Sequence, residues 1–180
     1  MAIVVRVQTE DFDAGVELTA LRAGKPAVGA IANFIGIVRD ANDQARVGAR
    51  IDTLTLEHYP GMTERSISSI CEEACSRWSL FDVTVIHRYG TLAPTDQIVL
   101  VATSSAHRGD ALEACGFIMD FLKTQAPFWK KEVTSGGERW VDARTTDDEA
   151  LARWRRDEAT RAPEIPGEPG STASRPGGRA

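Results

Sequence analysis

The feature that most constrains this chain is a strand running without a linker into its longest amphipathic segment. DQIVLVATSS, residues 96–105, is apolar and β-branched, and AHRGDALEACGFIMDFLKTQA, residues 106–126, sets Leu112, Cys115, Met119 and Leu122 at helical spacing. Pro127 then stops the helix, because it has no N–H to donate and its ring clashes with the preceding turn. Directly afterwards FWKKEVT and RWVDA flank SGGE, which predicts a terminal hairpin closed by a glycine turn.

The rest of the chain supplies partners for that unit. IVVRVQ (3–8) predicts a strand, and DFDAGVELTALRAG (11–24) a short helix ending near Gly24. AVGAIANFIGIVRD (27–40) reads as a buried strand, and the polar stretch around Gly48 as the most mobile loop. IDTLTLEHY (51–59) alternates, with Leu54, Leu56 and His58 on one face and Thr53, Thr55 and Glu57 on the other. Pro60-Gly61 breaks that strand, and Ile67, Ile70, Cys71, Ala74, Cys75 and Trp78 follow at helical spacing. FDVTVIHRYG is a further strand, joined by the turn-rich TLAPT to the strand at 96–105, and DDEALARWRR predicts a last short helix. Strands and helices interleave without a strict βαβ period, so the class is α+β. One domain is expected over residues 1–156. From about residue 157 the chain turns Pro-, Gly-, Ser- and Arg-rich and holds too few large apolar residues to offset the entropy of ordering, which predicts a disordered tail over 157–180.

Composition removes several function classes. A formal net charge of −5 argues against a nucleic-acid binder, which would show a basic face. No stretch approaches the ~18 apolar residues of a membrane span, and the N-terminus makes a poor signal peptide, so a cytoplasmic protein is expected. The three cysteines, Cys71, Cys75 and Cys115, form neither a CxxC pair nor a four-ligand metal set and read as buried thiols. No metal or cofactor is expected.

Against the acidic background, a few cations sit where they could act together. Arg39 closes an apolar strand. His107 and Arg108 stand where a strand enters a helix, a junction that offers free N–H groups and the positive end of the macrodipole. Lys123 shares a helix face with Met119, and Lys130 returns after the Pro127-Phe128-Trp129 turn. Each has a plainer reading: Arg39, His107 and Arg108 can be solvated, Ser104 or Ser105 can simply cap the helix, and Lys123 can snorkel. Phe128 and Trp129 read as core anchors, and His58 and His87 as core or edge groups. Together the cations are a convergence hypothesis in which a confined lysine moves protons or acts as nucleophile.

LEHYPGMTE, VTVIHRYGTL, SSAHRGDALEACGFIMDFLKTQAPFWKKE and GERWVDAR, in that order, resemble the catalytic subunit of molybdopterin synthase over roughly residues 3–155. The resemblance implies an α/β-hammerhead-like fold with a mixed and antiparallel sheet, and a homodimer at the centre of a heterotetramer. Each outer partner would be a small ubiquitin-like sulfur carrier ending in a Gly-Gly thiocarboxylate. The reaction would install the two dithiolene sulfurs on cyclic pyranopterin monophosphate (precursor Z). It also implies Lys123 and Lys130 as catalytic residues, substrate contacts from Ile37, Val38, Arg39, His107, Arg108, Lys131 and Glu132, and a pocket shaped by Phe34, Met119 and Arg144. Two other readings stand beside it: a module that grips the carrier without turnover, and a cysteine-dependent sulfurtransferase, which would need an accessible thiolate.

Overall fold

The computed structural model describes residues 1–40, 50–134, 137–141 and 154. Among these, eight strands and three helices form two four-stranded sheets. The first sheet contains β1 (Ala2–Gln8), β4 (Leu80–Arg88), β6 (Gln97–Ser105) and β2 (Ala30–Ile37), in that spatial order. It is mixed, since β1 runs parallel to β4 while β4–β6 and β6–β2 are antiparallel. The second sheet is antiparallel, in the order β5 (Gly90–Leu92), β3 (Ile51–His58), β7 (Phe128–Thr134), β8 (Gly137–Val141).

The helices cover both faces of the first sheet. Helices α2 (Met62–Arg77) and α3 (Arg108–Gln125) bury Ile67, Ile70, Ala74, Ala114, Phe117, Ile118 and Phe121 against Val83, Val85, Val99 and Val101. Trp154 closes this core, edge-on to Trp78 and Phe117, with its indole N–H donating to Asp120 at 2.9 Å. On the other face, α1 (Ala14–Arg22) lays Leu21 and Leu18, with Phe12 just before it, over Ile86, Leu100 and Ala102. Asp13 caps α1 by accepting the N–H of Val16 at 3.1 Å.

Three expectations are corrected. The strand at 27–40 forms, but β2 is an edge strand and only partly buried: Phe34 is 40% and Ile37 52% exposed. Its apolar run has one covered face, and its outer edge has no neighbouring strand among the described residues. Leu112 does not belong to the α3 stripe, being 63% exposed. The buried positions run instead through Ala111, Ala114, Cys115, Phe117, Ile118, Phe121 and Leu122, a stripe one residue out of step with Leu112. The TLAPT link contains more than a turn, since β5 within it crosses to the second sheet and pairs with Leu54–Leu56 of β3. The predicted loop around Gly48, the tail from 157 and most of the last helix lie outside the described residues.

The hairpin register decides which side chains face inward. Successive side chains of β7 alternate, so Phe128, Lys130 and Glu132 take one face while Trp129 and Lys131 take the other. The inner face is continuous with Leu54, Leu56 and Leu92, the small core under the second sheet.

Candidate active site

The C-terminal end of β2, the start of β6 and the inner face of β7 enclose a recess of about 60 Å³ lined by Ile37, Val38, Arg39, Ile51, Leu54, Ile98, Lys130 and Glu132. Five of the residues singled out from the sequence, Ile37, Val38, Arg39, Lys130 and Glu132, therefore come together. The walls are apolar, and two cations and one carboxylate sit among them. Glu132 is only 2% exposed, and its carboxylate lies 3.8 Å from the Lys130 ammonium. A buried carboxylate must be paired to be tolerated, so Glu132 holds cationic partners at this mouth rather than repelling an anion. On the measure used for cavities, the recess holds roughly four waters. That suits a phosphate or carboxylate group and is far too small for a fused-ring substrate.

Local backbone chemistry makes the wall rigid. The Val38 N–H donates to the Asp96 carbonyl at 2.9 Å, and the Val38 carbonyl accepts the Thr95 N–H at 2.9 Å. Both backbone groups of Val38 make hydrogen bonds within the chain, and its buried side chain lines the wall. Gly36 allows β2 to approach β6, because a Cβ there would sit 2.7 Å from Val99 Cγ1.

The remaining predicted residues lie elsewhere. Lys131 is on the outer face of β7, paired to Glu138 at 3.1 Å and over the Trp140 ring. Lys123 stands exposed on the last turn of α3, and Met119, one turn earlier, packs half-buried against the main core. Phe34 lies on the exposed edge of β2, outside the lining of the recess. Arg144 lies outside the described residues.

His107 and Arg108 are exposed at the opposite end of α3. His107 is the N-cap residue, with its N–H donating to Ser105 Oγ at 3.2 Å. Ser104 is committed to Asp82 and does not cap the helix. Fifteen residues at ~1.5 Å rise put Arg108 about 22 Å from Lys123 along the axis. The sheet register fixes which end is which: Ile37 pairs with Gln97 and Ala30 with Ser105, so α3 starts at the Ala30 end. Helix α3 packs over β6 and β2, with Arg108 in its first turn and Lys123 in its last, and neither side chain lines the recess.

Two residues left without a role on sequence grounds support this region. Phe128 stacks on His87 with ring centroids 3.7 Å apart, and the ring of His58, its cross-strand partner, has its centroid 6.4 Å away. His87 keeps a partly exposed edge, yet burial of its ring, with the nearby His58 adding, pushes its pKa down from 6.5 to about 4. No sequence signal singled out the pair beyond their shared apolar strand faces. The thiols fit the plainer reading. Burial pushes Cys71 up to about 12 and Cys115 up to about 11, and Cys75 is raised as well, so none offers a thiolate near neutral pH.

The sequence profile of the MoaE protein family matches residues 7–125. A molybdopterin synthase catalytic subunit of Ralstonia nicotianae is 60% identical over 150 residues, covering 83% of each chain. The solved molybdopterin biosynthesis MoaE protein of Burkholderia ambifaria superimposes with a TM-score of 0.72 at 55% identity, over 86% of this chain and 99% of that one. Molybdopterin synthase from Staphylococcus aureus matches with a TM-score of 0.68 at 28% identity, over 76% and 96%.

His87 gives this region a pH signature. A depressed folded-state pKa contributes stability that is complete above the unfolded value and lost as pH falls through the folded one. The melting temperature should therefore drop as pH falls from 6.5 toward 4, and His87→Gln should flatten that drop. A wild-type-like acid slope in the variant would contradict the assignment.

Proposed function

The chain belongs to the MoaE family, the catalytic subunits of molybdopterin synthase, and we propose that the mouth between β2, β6 and β7 is where it carries out sulfur transfer. The enzyme is a sulfurtransferase of molybdenum-cofactor biosynthesis. Its donor is the C-terminal thiocarboxylate of a small ubiquitin-like carrier subunit, and its acceptor is cyclic pyranopterin monophosphate. No helix among the described residues is long and apolar enough to cross a membrane, and the reading puts the enzyme in the cytoplasm.

The single observation that carries the site is the recess, with Arg39 and Lys130 on apolar walls above buried Glu132. Donor and acceptor are both anions. At about 4 Å, with an effective dielectric near 20, two like charges repel by roughly 4 kcal/mol, which fixed cations must offset. Lys130 positions the phosphate and assists opening of its ring. Lys123 moves the proton and stabilises the tetrahedral intermediate formed when water adds to the acyl carbon of the carrier–sulfur–pterin thioester, whose collapse leaves the sulfur on the pterin and a carboxylate on the carrier. Arg39 holds an anion at the wall, and the apolar side chains of Ile37, Val38, Ile51, Leu54 and Ile98 flank the charges, so each acts more strongly than in bulk water.

The ~22 Å along α3 separates His107 and Arg108 from Lys123, so one chain cannot wrap one substrate with all of them. In a homodimer a second copy supplies His107 and Arg108, and the exposed apolar edge of β2, with Phe34 and Ile37, is available for it to cover. Two carriers on such a dimer make the heterotetramer.

Lys123→Ala and Lys130→Ala should each lower dithiolene formation from thiocarboxylated carrier by about a hundredfold or more, with circular dichroism and carrier binding preserved. Near-normal turnover would reject the roles. Replacing Cys71, Cys75 and Cys115 together with Ala should leave activity in the folded protein largely intact; complete inactivation of a folded triple variant would favour a thiol route. Co-expressed Lys123→Ala and Arg108→Ala chains, inactive as separate homodimers, should regain about half the activity in mixed dimers, since two-fold symmetry leaves one intact site. Absence of complementation would put both groups in one protomer's site.

A further inference from the structure

Lys123 and Lys130 stand on the two arms of one chain reversal, the corner at Ala126-Pro127 between α3 and β7. The two arms belong to different layers, because α3 packs on the first sheet and β7 is central in the second. Pairing with β3 and β8 fixes β7 within its own sheet but does not fix it relative to α3. Phe128 stacks on His87 of the first sheet just after the corner, and a buried hydroxyl adds a directional hydrogen bond to the corner itself.

Thr63 lies in the first turn of α2 and is 0% exposed. Its Oγ1 accepts the Tyr59 N–H at 3.1 Å, and its own N–H donates to the Tyr59 carbonyl at 3.0 Å, so the Tyr59–Thr63 turn is closed from both sides. The adjoining turn is tightened by Gly61, whose N–H donates to Glu64 Oε2 at 2.6 Å. With its acceptor role used, the Thr63 hydroxyl has one proton to give, and it gives it to the Pro127 carbonyl at 3.2 Å, across 64 positions of sequence. The next residue, Phe128, stacks on His87, and its side chain shares the inner face with Lys130.

We propose that Thr63 is a positioning residue for sulfur transfer: its hydroxyl holds the Pro127 corner and thereby sets the spacing between Lys123 and Lys130. This rests on the roles given to the two lysines above. Removing the hydroxyl takes this partner from two part-buried backbone groups at once, the Tyr59 N–H and the Pro127 carbonyl, and frees the corner to shift. A misplacement of about 1 Å in a catalytic group can cost on the order of a hundredfold in rate.

The test compares Thr63→Val, which keeps the shape and loses the hydroxyl, with Thr63→Ser, which keeps the hydroxyl. Thr63→Ala is carried in parallel in case the valine variant does not fold. Turnover is measured in the assembled enzyme well below the melting temperature and normalised to the folded fraction. Thr63→Val or Thr63→Ala should lose between about tenfold and a hundredfold in kcat, with KM for the carrier changed little, and Thr63→Ser should recover most of kcat. A purely structural role would lower the melting temperature while leaving kcat per folded molecule at the wild-type value, and that result would overturn the proposal. Equal loss in the serine and valine variants would also overturn it, since the methyl and not the hydroxyl would then matter. If the lysine variants lose turnover while Thr63→Val does not, the positioning role fails and the function stands; if the lysine variants keep turnover, the functional reading fails independently of Thr63.

Discussion

The geometry of this protein depends on one reversal of chain direction. Pro127 ends α3, which is built into the first sheet's layer, and within one residue the backbone enters β7 of the second sheet. Proline makes the reversal obligatory because the helix cannot continue through it. Phe128, stacked on the His87 ring, makes the direction of exit definite. The two lysines that follow, Lys130 inside and Lys131 outside, take their placement from the strand alternation that begins there.

A chain with net charge −5 can still present a locally positive mouth, because Coulomb interactions in an apolar recess are decided by the few charges that line it. Glu132 is the instructive member. A buried carboxylate in an anion-binding site looks counterproductive until its geometry is considered. At 3.8 Å from Lys130 and almost wholly buried, it anchors a flexible ammonium at the wall, where a free lysine would spend much of its time in solvent. The recess is small and holds only part of the predicted cation set: Arg39 and Lys130 line it, while His107 and Arg108 stand at the start of α3.

Much of this was legible in the sequence, and the exceptions have physical causes. Periodicity identified α1, α2, α3 and the terminal hairpin because each has a one-sided apolar pattern. It misjudged β2, whose apolar run looks like a central strand although its outer edge carries exposed Phe34 and Ile37. Leu112 was misassigned because helical spacing alone does not say which of two adjacent stripes meets the sheet. Arg39, Lys130 and Glu132 meet as the family pattern implied. Their meeting depends on the antiparallel β3–β7 register, which joins residues far apart in sequence. Thr63 and His87 carried no signal, since a threonine in a first helical turn and a histidine in an apolar strand are ordinary until the corner they touch is known.

The central claim is that Lys123 and Lys130 serve one anion site. Lysine side chains labelled at nitrogen in the carrier-free homodimer, titrated with inorganic phosphate and followed by NMR, test it most directly. The account predicts that both ammonium signals move together along a single saturable curve, and that Arg108→Ala weakens the two responses by the same factor. Independent curves, or a response from one lysine with the other unmoved, would contradict it.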